Sequence, residues 1–286
     1  LRVLNESLEQ RILLIEMLLS FFGVGGGLAL TQDYGRGSVE TRYTLGMGHP
    51  NALQCMVFAL TVLALYLYGE KWKWYGYVAA LAVNTGFFFL TDSKTSLLVG
   101  IFAVLYTFLF KVIKNDSIRK WFGICGMSVS GLSVLFSVLI AANAYRIYDY
   151  IWYFEWTRPT QFFVYLDRAL TGRIASLVGT TEWEGTIQTW KLFSDPSSHY
   201  FFDLGWVRVF YWYGIIPGII MVAVFLYMLT YCIQKKRYME LSMAVSFAVY
   251  TLVEAHAVSD YIGRNYVLFL LGGMWSSMLC RKKAGK

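Results

Sequence analysis

Between Arg146 and Asp203 an apolar chain turns polar, and the side chains gathered there are suited to gripping an anion. The interval holds Arg146, Arg158, Arg168 and Arg173, together with Asp167, the run Leu170-Thr171-Gly172-Arg173, His199 and Asp203. A guanidinium is planar and always charged, and its fork of N–H donors matches two oxygens of a phosphate or carboxylate. Further cations mark the expected starts of four helices: Arg42 before His49-Pro50-Asn51, Lys94 in Asp92-Ser93-Lys94-Thr95, Arg208 one turn past Asp203, and Arg264 at Arg264-Asn265. Free N–H groups and the positive end of the dipole favour an anion at such starts. Pro50 suits a first helical position, and Asp92 or Ser93 suits a cap. Gathered in one bundle, the four starts would form a phosphate-binding floor beneath the polar interval, whereas any one alone is an ordinary cap.

The elements that must position these groups are membrane helices. The 286 residues are 57% apolar and only 15% charged, and their mean hydropathy is +0.49. That balance belongs to integral membrane proteins. The net charge of +7 does not indicate nucleic acid, because the lysines fall in short runs between apolar stretches, as at cytoplasmic membrane flanks. Eight stretches approach the roughly 20 apolar residues of a span: 12–30, 51–67, 74–90, 95–113, 121–145, 205–233, 241–258 and 266–280. The expected fold is all-α, a polytopic membrane helix bundle of about eight spans with one long helical extracytoplasmic loop. Residues 1–145 would hold the first five spans, 146–204 the loop, and 205–286 the last three. The chain opens on Leu1 rather than methionine, so N-terminal spans are expected to be missing.

Orientation follows from the short connections. Arg2, Arg11, Lys71, Lys73, Lys111, Lys114, Arg119, Lys120, Lys235, Lys236, Arg237, Arg281, Lys282, Lys283 and Lys286 share one side, which the positive-inside rule makes cytoplasmic. Both termini then lie inside and the long interval outside. Lysine dominates the inner set, whereas eight outer cations are arginine: Arg36, Arg42, Arg146, Arg158, Arg168, Arg173, Arg208 and Arg264. Topology alone gives no reason for arginine outside. An anionic ligand does, and so does snorkelling to lipid headgroups.

Within the loop, Thr157-Arg158-Pro159-Thr160 predicts a short helix through Ala169 that Gly172 ends. A second helical pattern runs over 174–193, with Trp183 and Trp190 on one face. Asp195-Pro196-Ser197-Ser198 predicts a turn back to the membrane. Tyr148, Tyr150, Trp152, Tyr153, Phe154 and Trp156 fit either an aromatic belt or a surface for stacking sugars. Polar residues inside the spans are few: Glu16, Asn84, Asn143, Glu254 and His256. Ionisable groups at membrane depth are functional candidates, for an enzyme or a proton-coupled transporter alike. Cys55, Cys125, Cys232 and Cys280 show neither a CxxC pair nor a disulfide framework, and three isolated histidines do not make a metal site. The Walker, zincin, nucleophile-elbow and DxD signatures are missing. With Pro217 as the one proline deep in a span, broken transporter helices are disfavoured.

The run Arg42-Tyr43-Thr44-Leu45-Gly46-Met47-Gly48-His49-Pro50-Asn51 resembles the Arg...Gly-x-x-His-Pro-Asn signature of bacterial O-antigen ligase and polysaccharide polymerase (Wzy-type) membrane proteins. Ser93-Lys94-Thr95 is similar to the Ser-Arg/Lys-Thr that opens a later helix there, and Leu170-Thr171-Gly172-Arg173 to the Ser/Thr-Gly-Arg loop motif. Asp203, Trp206 and Gly214-Ile215-Ile216 fit the spacing of the next motif. Two departures stand out: Leu204 occupies the usual Asn position, and His199 lies four residues before the expected base.

The resemblance implies a metal-independent and cofactor-free glycosyltransferase at the outer face of the bacterial cytoplasmic membrane. It would polymerise undecaprenyl-pyrophosphate-linked oligosaccharide repeats into an O-antigen, capsular polysaccharide or exopolysaccharide, with membrane lipids, a flippase and a chain-length regulator as partners. It implies Arg42, Lys94 and Arg173 on the pyrophosphate, assisted by His49 and the helix start at Asn51, with Glu254 and Arg264 in support. Asp203 would be the base and His199 its rival. Each assignment has a plainer counterpart: a headgroup contact for Arg173, and helix capping for His49 and Asp203. A ligase of the same family, passing finished chains to a lipid or protein, and a polysaccharide or lipid-linked-sugar transporter are the alternatives.

Overall fold

The computed structural model describes residues 29–33, 39–152, 158–169, 172–178, 185–194, 203–254, 272–273 and 276. The chain is helical, as expected, with one small antiparallel hairpin that the sequence reading did not foresee. Strands β1 (Ala29–Asp33) and β2 (Val39–Tyr43) pair with Thr31 opposite Thr41. The last residues of the expected span 12–30 are therefore strand, and 12–28 lie outside the described residues.

Nine α-helices are described: α1 (Pro50–Tyr68), α2 (Trp74–Thr91), α3 (Lys94–Val112), α4 (Asp116–Trp152), α5 (Arg158–Ala169), α6 (Arg173–Ser176), α7 (Gly205–Tyr213), α8 (Ile215–Gln234) and α9 (Tyr238–Thr251). Residues up to Val104 form one compact unit and those from Leu105 a second.

Four helices are long and apolar enough to cross a membrane: α1, α3, α4 through Tyr150, and α8. Their exposed faces carry apolar stripes. On α8, Ile216, Ile219, Ile220, Val224 and Tyr227 recur at helical spacing, all exposed. On α4 the same holds for Val129, Leu132, Leu135 and Leu139. In water such stripes would be unfavourable, whereas in hydrocarbon they lose nothing.

Other expected spans came out differently. α4 has 37 residues, or about 55 Å at the helical rise, far more than a hydrocarbon core of about 30 Å. It runs past Tyr145 and makes the first turns of the expected loop. The stretch 205–233 is two helices, because Gly214 (φ 97) breaks it. Residues 191–194 lie in the break. The N–H groups of Ile215 and Ile216, which open α8, donate to the carbonyls of Lys191 (2.9 Å) and Leu192 (3.1 Å), and Ser194 N–H donates to Tyr213 O (3.2 Å). A side chain at Gly214 would collide with that strap. The stretch 241–258 shortens to α9, ending at Thr251. Of 266–280, only Gly272, Gly273 and Ser276 are described, all helical.

In the loop, α5 forms where expected and Gly172 takes the left-handed conformation (φ 78). The helix expected over 174–193 does not continue: α6 stops at Ser176, and a 3-10 turn at Ile187–Thr189 is the next described element. Trp183 lies outside the described residues, while Trp190 stacks on Phe210 (5.0 Å between centroids, 13°).

Candidate active site

In the second unit the site is built on an apolar cluster. Ile140, Ala141, Ala144 and Ile147 of α4 meet Ile174, Leu177 and Val178 at α6, and Leu204, Val207 and Tyr211 at α7. Leu204, the residue departing from the family pattern, is fully buried there. Tyr148 leans on the cluster and Tyr150 stacks on Phe163 of α5, so these two rings are committed to protein contacts.

Arg173 opens α6, and Asp167 holds it in place. Gly172 N–H donates to the Asp167 carbonyl (2.8 Å), while Asp167 Oδ1 accepts from the N–H groups of Ile174 (2.9 Å) and Ala175 (3.1 Å). One residue thus satisfies the turn into α6 and two of its open donors. Burial lifts the Asp167 carboxyl above the ordinary carboxylate range, although both hydrogen bonds pull the other way.

Asp203 and Glu254 are brought together by a glycine contact. At Gly205 a β-carbon would strike the carbonyl oxygens of Thr251 and Glu254, so only glycine lets α7 begin against the end of α9. Trp206 fastens the same crossing, its indole N–H reaching Ser133 Oγ (3.1 Å) and Ala248 O (3.2 Å).

The result is an ion group. Arg173 Nη2 lies 2.7 Å from Glu254 Oε1 and 3.5 Å from Asp203 Oδ2. Glu254 is 1% exposed and Arg173 8%, whereas Asp203 keeps 27% of its side chain accessible. Its Oδ1 atom is nevertheless buried and has no hydrogen-bond partner among the described residues. Asp203 does not cap α7: the cap position is Leu204, with no side-chain bond. Arg208, also buried, lies over the Trp212 ring (4.4 Å).

A separate polar group stands in the first unit. Buried Arg42 donates through Nε to the Thr91 carbonyl and through Nη2 to Asn51 Oδ1 (3.5 Å), tying the end of α2 to the start of α1. Thr91 Oγ1 donates to Gln54 Oε1 (3.1 Å), Gln54 Nε2 to Asn84 O (3.2 Å), and Asn84 Nδ2 to Thr61 Oγ1 (2.9 Å). His49 does what capping requires, Nδ1 accepting the Asn51 N–H (3.1 Å) ahead of Pro50. Lys94 is exposed at the start of α3, with Ser93 Oγ against Ser96 Oγ (2.9 Å).

Of the expected site residues, Arg173, Asp203 and Glu254 meet in one unit, while Arg42, His49, Asn51 and Lys94 belong to the other. His199, Arg264 and His256 lie outside the described residues. Arg42, Arg173 and Arg208 are buried against protein groups, which does not fit headgroup snorkelling for those three; Arg146 and Arg168 are exposed. Sequence reasoning missed the positioning role of Asp167, whose signal was an aspartate just ahead of a Gly-Arg helix start. It also missed Gly205 and Thr91, which carry no local signal. No protein-family profile matches this chain, and no characterised protein or solved structure matches it either.

Proposed function

We propose that the chain is a membrane glycosyltransferase that joins oligosaccharide repeats carried on undecaprenyl pyrophosphate. The observation that carries this reading is the carboxylate of Asp203: the side chain is part-exposed, Oδ2 faces a buried Arg173–Glu254 pair, and Oδ1, itself buried, has no hydrogen-bond partner among the described residues. A general base needs such a poised acceptor oxygen. In the reaction an acceptor hydroxyl gives its proton to Asp203 and its oxygen attacks the anomeric carbon. The bond to the pyrophosphate oxygen breaks, and undecaprenyl pyrophosphate leaves with the electron pair. The outer membrane face is the proposed location of the site, and the eight-span count belongs to the same proposal.

Asp203→Asn and His199→Ala variants, expressed in a strain lacking its own polymerase, test the base. Asp203→Asn is expected to abolish the polysaccharide ladder at unchanged protein level, with His199→Ala retaining it. The opposite pattern transfers the role to His199, and full ladders from both remove it from each. A buried ion pair near a helix end would also suit a transporter. Substrate-dependent release of free undecaprenyl pyrophosphate excludes that reading, and defined acceptors separate polymerase from ligase.

A further inference from the structure

We infer that one end of the second unit, where α3 passes to α4 and α8 to α9, is a binding surface for anionic phospholipid, with lysines on the headgroup phosphate and an adjoining apolar rim among the acyl chains. The two connections are far apart in sequence but form one patch. Lys236 Nζ lies 2.5 Å from Asp116 Oδ2, and Arg119 lies over the Tyr238 ring at 5.7 Å. Lys236 closes α8 in the left-handed conformation (φ 54), its N–H on Ile233 O (3.2 Å) and that of Arg237 on Cys232 O (2.8 Å). Glycine takes that conformation without strain. Here the position carries a charge instead.

The patch holds more positive charge than the protein balances. Asp116 is the one acidic residue in 105–145 and Glu240 the one in 215–250. Each already faces a cation, Asp116 through Lys236 and Glu240 through Arg237 (2.5 Å). Lys114, Lys120 and Lys235 stand exposed beyond these pairs. The arginines turn inward: Arg119 Nε donates to the Ile113 carbonyl, and Arg237 holds Glu240. Lysine is a compact charge on a flexible stem, suited to mobile headgroups more than to a fixed two-oxygen grip.

Charge alone would fit any polyanion, and the neighbouring side chains decide for lipid. Val112 and Ile118 are exposed beside the lysines, and Trp121 is 68% exposed. Ile118 and Trp121 lie one turn apart on α4, a helix long and apolar enough to span, whose exposed apolar residues continue through Leu132, Leu135 and Leu139. An indole at the end of such a stripe, next to lysines, is the make-up of a membrane interface. A nucleic acid or an acidic protein would cover the lysines and leave the apolar rim in water, at a cost. Anionic lipid satisfies both parts, its phosphate meeting the lysines and its chains the rim.

The test uses the full chain in phosphatidylcholine vesicles, where a rising share of the lipid is replaced by dibrominated phosphatidylglycerol or by dibrominated phosphatidylcholine of the same chain length. Bromine quenches indole on contact, and the difference between wild type and Trp121→Phe isolates Trp121 from the other tryptophans. Both lipids are expected to quench Trp121, with phosphatidylglycerol favoured roughly threefold at low salt and the preference falling toward one in about 0.5 M sodium chloride. Lys114→Gln/Lys120→Gln/Lys235→Gln should abolish the preference. Arginine at the same three positions should keep it, which separates loss of charge from loss of fold. Arg146→Gln/Arg168→Gln, which removes exposed cations elsewhere, should leave it unchanged.

The inference is overturned if neither lipid quenches Trp121, or if wild type shows no preference, as it would were the lysines needed only while the chain inserts. It is equally overturned by a preference that survives the glutamine triple or high salt, or that vanishes in Arg146→Gln/Arg168→Gln. Soluble glycerol phosphate is expected not to compete; a preference that it removes would mean a site for the free anion. The proposed glycosyl transfer has no part in this inference, and a chain that releases no undecaprenyl pyrophosphate leaves it standing.

Discussion

Arg42 and Arg173 are both buried, yet among the described residues they meet different chemistry. Arg42 donates to a backbone carbonyl and an amide oxygen, at the head of a ladder of neutral groups running from Thr91 through Gln54 and Asn84 to Thr61. Arg173 meets two carboxylates. A neutral ladder fixes geometry: it seats the end of α2 on the start of α1. An ion group stores charge, and removing one member leaves another charge exposed to a low dielectric. The two surroundings therefore predict different penalties for the same arginine truncation.

The largest effect should come from Arg173→Ala, which takes the guanidinium away from the buried Glu254 carboxylate. A loss of about 3–5 kcal/mol is expected for breaking a buried pair on one side. Thermal unfolding in detergent, followed by tryptophan fluorescence, measures it, and the Arg173→Gln/Glu254→Gln pair should recover most of the loss. If single and double variants unfold alike, the group is not a buried ion cluster and the contrast with Arg42 collapses.

Arg42→Ala ranks next. It leaves a neutral carbonyl and an amide short of donors, at about 1–3 kcal/mol. A loss as large as that at Arg173 would mean that the two arginines are energetically alike.

The smallest effect concerns Asp167. Its carboxyl is lifted above the usual range by burial, so the folded chain holds that proton more readily than the unfolded chain. Its contribution to stability therefore grows as pH falls toward the carboxylate range, and is lost as pH rises through the lifted folded value. Asp167→Asn keeps an acceptor oxygen for Ile174 and Ala175 and removes the charge. It should change stability at neutral pH by less than about 1 kcal/mol and flatten the acid side of the stability curve. An unchanged pH dependence would show that burial of Asp167 has no bearing on how α6 is held.

The fold was legible wherever composition alone decides. Long, mainly apolar stretches leave few options but a helix, so α1, α2 and α3 begin and end within a residue or so of their expected limits, and Pro50 opens α1 as proline should. In the loop, α5 and the left-handed Gly172 were legible because their signals are local. Gly214 misled because a glycine in an apolar run can either continue a helix or break it. The break is decided by residues 191–194, whose carbonyls satisfy the opening donors of α8.

The amino-acid sequence by itself determined that this chain builds helices long and apolar enough to cross a membrane, where several of them begin and end, and that arginine is concentrated among its polar stretches. Those properties are sums over local residues, and water and hydrocarbon act on each residue in place. Only the tertiary structure decided that Arg173 faces Glu254, 81 residues away, and Asp203, while Arg42 faces Thr91 and Asn51. An arginine's partner is a matter of which helix ends approach within a few ångströms, and here a single side-chain-free position at Gly205 permits that approach.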